Sequence, residues 1–166
     1  MRIIGIDPGA DGGFAILQDG TLRAHGSMSI HPDATDWEVL ESNGLFDVLC
    51  FERTTALPAF WKVHGRKVHA GGSKANWLRG HSAGLLLGWA RGAKILRIMH
   101  PSAHAWQKVM LDGIPGDNTK KRSIVSARDF YPDATLITKG GRILDGVADA
   151  INIATYAHRI IQSERS

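Results

Sequence analysis

The sequence predicts an α/β fold in which helices flank a mixed sheet of five strands, and three observations support this class. Apolar runs of strand length, separated by turn signals, fill the first fifty residues. Longer segments that begin at a capping residue and end at glycine or proline dominate the second half. The predicted order of three strands, helix, strand, helix, strand and helices is typical of a mixed sheet with helices on its faces. With 166 residues, 43% of them hydrophobic, the chain is long enough for one domain over residues 1–166.

The first three strands are predicted to form an antiparallel meander. Residues 2–7 have the composition of a buried strand, and the glycine-rich segment 9–13 predicts a turn. Residues 14–17 form the next strand, Asp19-Gly20 is a hairpin signal, and residues 21–28 complete the meander.

A short acidic helix is predicted over residues 33–41, with Asp33 as a candidate N-cap. The fourth strand, 47–52, is apolar on both faces, which predicts a central position in the sheet. Residues 53–72 show no regular pattern and are predicted to be an irregular loop. A loop of that length inside a compact domain is usually functional or mobile.

Residues Ser73–Gly92 predict a helix with glycine at every fourth position, namely Gly80, Gly84, Gly88 and Gly92. An interior glycine costs a helix about 0.5–1 kcal/mol against alanine, so four on one side call for a reason. They leave a smooth stripe that another backbone could approach closely. The stripe either packs against the chain's own sheet or forms a dimer interface, and the spacing alone does not decide between these.

The remaining elements are a fifth strand over 94–99 and helices over 103–110, 119–131 and 144–162. Pro132 ends the second of these helices. Residues 139–142 are predicted to be a flexible basic loop.

Four acidic residues stand where a shared cation would need them. Asp7 and Glu52 follow the apolar runs of two predicted strands, where an ionised carboxylate is costly unless it is paired or binds a cation. Asp145 and Asp149 are four residues apart in the last helix and therefore share one of its faces. Mg²⁺ prefers such oxygen ligands, and two ions held by them can drive an in-line phosphodiester displacement. Because the cluster would repel DNA without metal, the metal should be obligatory.

Each of these signals is weak by itself. Asp-Pro-Gly at Asp7 is usually a turn, the pair Asp145 and Asp149 is usually a solvated helix face, and Glu52 alone could pair with Arg53. The ordered set, with a basic segment in between, is a much stronger indication.

Charge divides the chain unevenly. Residues 53–128 hold 14 of the 20 Lys and Arg residues and only two of the 16 Asp and Glu residues, so that segment carries +12 and the remainder −8. A carboxylate cluster beside a basic surface is the electrostatic layout of a metal-dependent nuclease. A solvated basic face without a partner is the alternative.

The single cysteine, Cys50, lies in an apolar run and is predicted to be an inert core residue. One thiol can form neither an internal disulfide nor a zinc site, which fits a reducing compartment. No secretory signal and no apolar stretch long enough to span a bilayer is present in the sequence. We therefore expect a soluble cytoplasmic protein with no membrane partner.

Several motifs together resemble the RuvC family of Holliday-junction resolvases, over nearly the whole domain. They are Ile4-Gly5-Ile6-Asp7-Pro8-Gly9, Phe51-Glu52, the segment 86–92, Pro101-Ser102 with Gln107-Lys108, and the segment 145–150. The first-strand motif and the closing Asp-x-x-x-Asp-Ala are the most specific, and the chain is more similar to the phage-borne and divergent branch. The host would then be a bacterial cell or a phage-infected one.

The resemblance implies an RNase H-like fold and a homodimer that places two active sites on one four-way DNA junction. It implies a two-metal mechanism, with two Mg²⁺ or Mn²⁺ ions per active site held by Asp7, Glu52, Asp145 and Asp149. Lys108 and either Lys120 or Lys121 match family positions that contact phosphate near the active site, and we predict Lys108 and Lys121 as the catalytic pair.

The chain departs from typical bacterial members in two places. Its closing carboxylates are four residues apart rather than three, and the segment after Glu52 is longer than usual. The family has an aromatic residue in that segment that stacks on an unpaired base, and Phe60 and Trp61 are the candidates. Ordinary packing of these two side chains against the core is an equal alternative. The predicted DNA-binding residues are Arg53, Phe60, Trp61, Lys62, Arg66, Lys67, Lys74, Lys120 and Arg122.

The predicted function is a metal-dependent endonuclease that resolves Holliday junctions by paired symmetric nicks, with other branched DNA as a further substrate class. The alternative is another RNase H-like nuclease that acts on RNA/DNA hybrid or structured RNA. A DNA-binding protein with a decayed site is disfavoured because all four carboxylates are present.

Overall fold

The computed structural model describes residues 1–9, 11–30, 35–53, 60–63, 66–69 and 73–166. Its main sheet has five strands in the spatial order β3-β2-β1-β4-β7, and a separate hairpin pairs β5 with β6. The strands are β1 (Arg2–Asp7), β2 (Gly13–Gln18), β3 (Thr21–Ser27), β4 (Val48–Phe51), β5 (Phe60–Val63), β6 (Arg66–His69) and β7 (Arg97–Met99). The first three strands are antiparallel, while β4 runs parallel to β1 and β7 runs parallel to β4. The predicted mixed five-stranded sheet is confirmed.

Helices cover both faces of this sheet. They are α1 (Trp37–Ser42), α2 (Ser73–Gly92), α3 (Ala103–Met110), α4 (Thr119–Phe130) and α5 (Asp145–Ser163). One apolar core joins the sheet to α3, α4 and α5, and a second joins the opposite face to α1 and α2. Within the described residues, no helix is both long and apolar enough to cross a membrane.

The fourth strand occupies the predicted central position. β4 lies between β1 and β7, and all four of its residues are buried. Cys50 is one of them, and burial raises the pKa of its thiol, so the prediction of a core cysteine is confirmed.

The hairpin between β2 and β3 also forms where the sequence predicted it. Asp19 and Gly20 both have positive φ, at 50° and 82°. Such a turn matches the twist of the flanking strands, and the second angle is one that glycine adopts without strain.

The prediction of an irregular loop over residues 53–72 was wrong in part, because β5 and β6 form an antiparallel hairpin there. Lys62 and Lys67 are register partners within it. Each of its strands has only four residues, and so short a hairpin outside the main sheet gives a weak sequence pattern. The rest of the loop, residues 54–59, 64–65 and 70–72, lies outside the described residues.

The fifth strand begins at Arg97 and not at Lys94. The amides of Ala93 and Ile95 donate to the carbonyls of Trp89 and Ala90 at 2.8 and 2.9 Å, so these residues complete the end of α2. Lys94 has φ 55° and turns the chain out of the helix. Residues 94 and 95 therefore belong to the end of α2 through their backbone hydrogen bonds and turn, although their composition favours a strand.

The first helix is also shorter than predicted. It begins at Trp37, and Asp33, the predicted N-cap, lies outside the described residues. Asp36 stands at the helix start without capping it, because its carboxylate accepts a 2.7 Å hydrogen bond from the amide of Ser29.

The basic segment 139–142, predicted to be flexible, forms a hydrogen-bonded turn. The amide of Thr138 donates to the carbonyl of Arg142 at 2.9 Å, and a β-bridge joins Ile137 to Ile143. The guanidinium of Arg142 also reaches Asp11 at 2.7 Å.

Candidate active site

The register of the sheet brings Asp7 and Glu52 together. Ile6 pairs with Phe51 in the parallel ladder between β1 and β4, so Asp7 and Glu52 are each the next residue on neighbouring strands. Neighbouring strands lie about 4.8 Å apart. Side chains alternate along a strand, so Asp7 points to the same face as Ile3, and Glu52 to the same face as Cys50. Ile3 and Cys50 pack in the core on the side that α5 covers.

Glycines allow α5 to approach that face closely. A Cβ atom on Gly13 would lie 2.6 Å from the carbonyl oxygen of Gly146, and one on Gly146 would lie 2.4 Å from that of Asp11. The first turn of α5 therefore packs directly on the turn after β1. This contact places Asp145 and Asp149, one helical turn apart, beside the end of β1.

The pKa of Asp7 reflects the charges of the other three carboxylates. It is raised to about 8, first because the side chain is removed from water, and then by the negative charges of Asp149, Glu52 and Asp145. Like charges within a few ångströms disfavour ionisation in this way. All three predicted partners therefore raise the pKa of Asp7. Glu52 directly follows β4, and Asp145 and Asp149 lie in the first turns of α5.

Each of the other three carboxylates has its own donor. Trp106 in α3 donates its indole Nε1–H to Glu52 Oε2 at 2.8 Å, and Ser123 in α4 donates its hydroxyl to Asp149 Oδ1. Lys120 at the start of α4 forms an ion pair with Asp145.

These donors affect the carboxylates differently. The hydrogen bond from Lys120 and then its positive charge lower the pKa of Asp145, against a smaller effect of burial. Burial raises the pKa of Asp149 to about 6, and the hydrogen bond from Ser123 lowers it only in part. At neutral pH a pKa of about 8 keeps Asp7 protonated, while Asp145 and Asp149 are ionised.

Among the described residues, no group of three or more His, Cys, Asp or Glu side chains is already arranged to hold a metal ion. Three of the four carboxylates instead accept from a donor of the chain itself, which is Trp106, Ser123 or Lys120. The residues themselves fit a hard divalent cation, since the set consists of carboxylate oxygens and Asp7 carries a large cost of burial that a cation would offset. The ligand roles of the four residues stay predictions.

The predicted catalytic lysines lie in different surroundings. Lys120, predicted as a DNA contact, is the lysine at the carboxylates, whereas Lys121 pairs with Asp117 on the surface one helical turn away. Lys108 lies on the exposed side of α3 and lines a cleft with His104 and Thr119.

Two of the predicted DNA-binding residues are arginines whose contacts the structure describes. Arg53 is exposed and directly follows Glu52, and its amide donates to the carbonyl of Pro101 at 2.7 Å. Arg122 uses its guanidinium on the chain itself, donating to the carbonyls of Ile114 and Leu111. This side chain therefore braces the loop before α4, a role that the sequence did not indicate.

The other predicted DNA contacts lie in the hairpin and at the start of α2. Their side chains lie outside the described residues, so the structure fixes only their backbone positions. They are Phe60, Trp61 and Lys62 in β5, Arg66 and Lys67 in β6, and Lys74 in α2.

Sequence reasoning missed Trp106 and Ser123 as residues of the site. Trp106 is 1% exposed and belongs to the core that joins the sheet to α5. A buried indole N–H nearly always finds an acceptor, so its need for one was a usable signal. Ser123 lies on the buried side of α4 together with Ser126, and two serines three residues apart among apolar neighbours were a weaker signal.

Comparison with known proteins identifies the fold. No family model and no curated protein sequence matches the chain. The structure is similar to that of Thermus thermophilus RuvC, with a TM-score of 0.60 at 18% identity, over 98% of this chain and 97% of that one. It is also similar to Thermus thermophilus RuvC in complex with a Holliday junction substrate, with a TM-score of 0.57 at 14% identity, over 98% and 96%. The chain therefore has a RuvC-like fold, an α/β architecture of the RNase H-like type.

Proposed function

We propose that this protein is a metal-dependent endonuclease that cuts four-way and other branched DNA by paired nicks. One observation carries the proposal: Asp7, at the end of a central strand, lies within the electrostatic reach of Glu52, Asp145 and Asp149. The similarity to a RuvC structure that contains a Holliday junction substrate supports the choice of DNA as substrate.

In this proposal the four carboxylates hold two divalent cations, Mg²⁺ or Mn²⁺. Bound there, the cations would activate a water molecule and stabilise the leaving oxygen of the phosphodiester. Asp7 would lose its proton on binding a cation, because the cation would offset both its burial and the three neighbouring carboxylates. Glu52 and Asp149 each accept a hydrogen bond from a neutral donor, which adds no positive charge beside either carboxylate.

Lys120 has a second role in the proposed reaction. Its side chain is 75% exposed, and within the described part of the chain its ion pair is with Asp145. If Asp145 turned toward a cation, the ammonium group would be free to contact a non-bridging oxygen of the phosphate. A positive charge in that position stabilises the charge that develops during the displacement.

The uneven distribution of charge supports a polyanionic substrate. The basic segment 53–128 includes β5, β6, α2, α3 and most of α4, and Lys120 joins it to the carboxylates. Such a surface would attract the phosphate backbone of DNA, and its contribution to binding would fall as salt concentration rises.

A homodimer would place two such sites on one junction, and α2 is the proposed interface. The four glycines Gly80, Gly84, Gly88 and Gly92 are exposed, and a Cβ atom on any of them would meet nothing within 4 Å among the described residues. The described part of the sheet therefore does not explain the stripe. A second α2 helix related by twofold symmetry would cover it with an identical surface, as in most homodimers.

A cruciform-extruding supercoiled plasmid tests the proposal directly. Two nicks made within one binding event give linear DNA, whereas separate nicks relax the plasmid, remove the cruciform and leave an open circle. We expect linear product with Mg²⁺ or Mn²⁺ and none with EDTA or with Asp7→Asn. Cleavage of an RNA/DNA hybrid in preference to the junction would instead favour the related hybrid- or RNA-cutting nucleases.

A further inference from the structure

Five polar side chains are buried within the part of the chain that the structure describes, and three of them form one network between α4 and α5. The five are Ser82, Ser123, Ser126, Asn152 and Thr155. Ser123, Ser126 and Asn152 are all fully buried, and Asn152 is hydrogen-bonded to both serines. Buried polar groups of this kind are costly unless satisfied, so a fully connected network has a defined geometry.

The surroundings of Asn152 fix the orientation of its amide. Its Nδ2 donates to the carbonyls of Ser123 and Ala148 at 2.9 and 3.0 Å, and also faces the hydroxyl of Ser123 at 2.9 Å. Its Oδ1 accepts from the hydroxyl of Ser126 at 2.7 Å. A flipped amide would set its oxygen against two carbonyl oxygens, so only this orientation satisfies the site.

This orientation determines where the proton of Ser123 points. Asn152 Nδ2 has two hydrogens for three nearby oxygens, so Ser123 Oγ shares one of them with a carbonyl, and an amide nitrogen cannot accept the proton of Ser123 in return. The hydroxyl has one proton left to give, and the structure directs it to Asp149 Oδ1. The network therefore runs in one direction, from Asn152 through Ser123 to the carboxylate.

The other buried hydroxyl groups among the described residues donate to neutral oxygens and not to a carboxylate. Ser126 faces the carbonyl of Met110 and the amide oxygen of Asn152, and Ser82 lies 2.7 Å from the carbonyl of Ile30 and 3.0 Å from that of Leu78. Thr155 donates to the carbonyl of Ile151 four residues earlier at 2.8 Å. Back-bonding of this kind is the ordinary solution for a helical Ser or Thr. Ser123 instead makes a contact across two helices with a member of the candidate active site.

We propose that Ser123 is a positioning residue that holds one oxygen of Asp149, so that the carboxylate is presented, still negatively charged, to a divalent cation. The inference rests on the proposed function, since it assigns Asp149 as a metal ligand. A neutral donor suits this task because it restrains the carboxylate without cancelling its charge. Lys120 does the opposite at Asp145, where it supplies a full positive charge.

A matched pair of variants, Ser123→Ala and Ser126→Ala, tests this assignment. Both serines are fully buried in α4 and bonded to Asn152, but only Ser123 contacts Asp149. Thermal unfolding in EDTA reports their shared structural role. Calorimetric titration with Mn²⁺ alone then reports the metal site without any substrate, and the nicking rate as a function of Mn²⁺ concentration reports catalysis.

We expect similar losses of stability in EDTA but different metal binding. Ser123→Ala should weaken Mn²⁺ binding by about 10–100-fold, the usual cost of removing a group that orients a metal ligand, while Ser126→Ala keeps the wild-type affinity. The nicking rate of Ser123→Ala should recover at high Mn²⁺ concentration. Should Ser123→Ala not fold, Ser123→Cys keeps the side-chain volume with a weaker donor and should give an intermediate affinity.

Equal Mn²⁺ affinity in Ser123→Ala and Ser126→Ala would overturn the inference, as would wild-type affinity in Ser123→Cys if that variant is needed. A wild-type protein that binds no Mn²⁺ would overturn it as well. Failure of the proposed function is separate, since it is seen when the wild type binds Mn²⁺ but nicks no branched DNA.

Discussion

The indole nitrogen of Trp106 donates a 2.8 Å hydrogen bond to the carboxylate of Glu52, which links the core of the protein to its candidate active site. Trp106 is 1% exposed and is the largest fully buried side chain among the described residues. Glu52 is only one residue beyond β4, where the chain leaves the sheet. The carboxylate therefore takes its position from a rigid group 54 residues away in the sequence.

Replacement of this indole should lower activity more than stability. Trp106→Phe keeps an aromatic ring in the core but removes the donor to Glu52, so we expect a loss of nicking of about 10-fold or more at limiting metal. The smaller ring should also cost roughly 1–3 kcal/mol of folding stability. Tyr131→Phe is the control, because it removes a 3.0 Å hydrogen bond to the carbonyl of Gly20 and no contact with the carboxylates. Equal nicking by both variants would contradict a role for Trp106.

Lys120 and Lys121 are neighbours with different partners, so single substitutions should separate them. Lys120→Ala should reduce the maximal nicking rate by about 10–100-fold, the order of effect that loss of a charge-stabilising group has. Lys121→Ala removes only a surface pair with Asp117 and should change stability by at most about 1 kcal/mol. Single-turnover rates at saturating Mn²⁺ measure the difference. The opposite ranking would restore the sequence-based choice of Lys121.

The raised pKa of Asp7 predicts how the stability of the metal-free protein depends on pH. Its folded-state pKa is about 8 against an ordinary value of 3.8, so between these values the folded state retains a proton that the unfolded chain has lost. Stability must therefore fall as the pH rises through this window. Asp7→Asn removes this contribution, and we expect it to be more stable than the wild type at pH 8 by about 1–3 kcal/mol.

Thermal unfolding in EDTA at several pH values between 5 and 8 checks this prediction. Asp19→Asn is the control. Hydrogen bonding to the N-terminal ammonium lowers the pKa of Asp19, so this carboxyl group is ionised above pH 5 in both the folded and the unfolded protein. This control should keep the wild-type slope. Added Mn²⁺ should stabilise the wild type more at pH 8 than at pH 5.5, because protons and cations compete for the same carboxylates. A wild-type slope in Asp7→Asn would mean that Asp7 is not the group responsible.

The exposed glycines of α2 allow a substitution that tests the dimer without disturbing the monomer. A Cβ atom on Gly84 would meet nothing within 4 Å among the described residues, so we expect Gly84→Leu to fold and to gain up to about 1 kcal/mol of helix propensity. In a dimer the leucine would separate the two helices. Sedimentation should then show a monomer, and the cruciform plasmid should yield open circles in place of linear DNA.

Gly84→Ala serves as the milder control, because one methyl group is closer to what a helix–helix contact tolerates. A wild-type protein that sediments as a monomer, or a Gly84→Leu protein of unchanged mass, would remove α2 from the proposed interface.

The sequence by itself determined the features that depend on local pattern. The bounds of α2 and α3, the turn at Asp19-Gly20 and the central place of β4 follow from caps, turn residues and apolar runs. The strand ends that carry Asp7 and Glu52 were visible for the same reason, and four-residue spacing was enough to put Asp145 and Asp149 on one helix face.

Only the tertiary structure decided which side chains surround those carboxylates. Trp106 and Glu52 are 54 residues apart, Ser123 and Asp149 are 26 apart, and Lys120 and Asp145 are 25 apart. Contacts over such separations depend on how helices pack on the sheet, which local propensity does not encode. Packing likewise chose Lys120 over its neighbour as the lysine at the site, turned Arg122 onto the backbone of its own loop, and left the glycine stripe of α2 exposed.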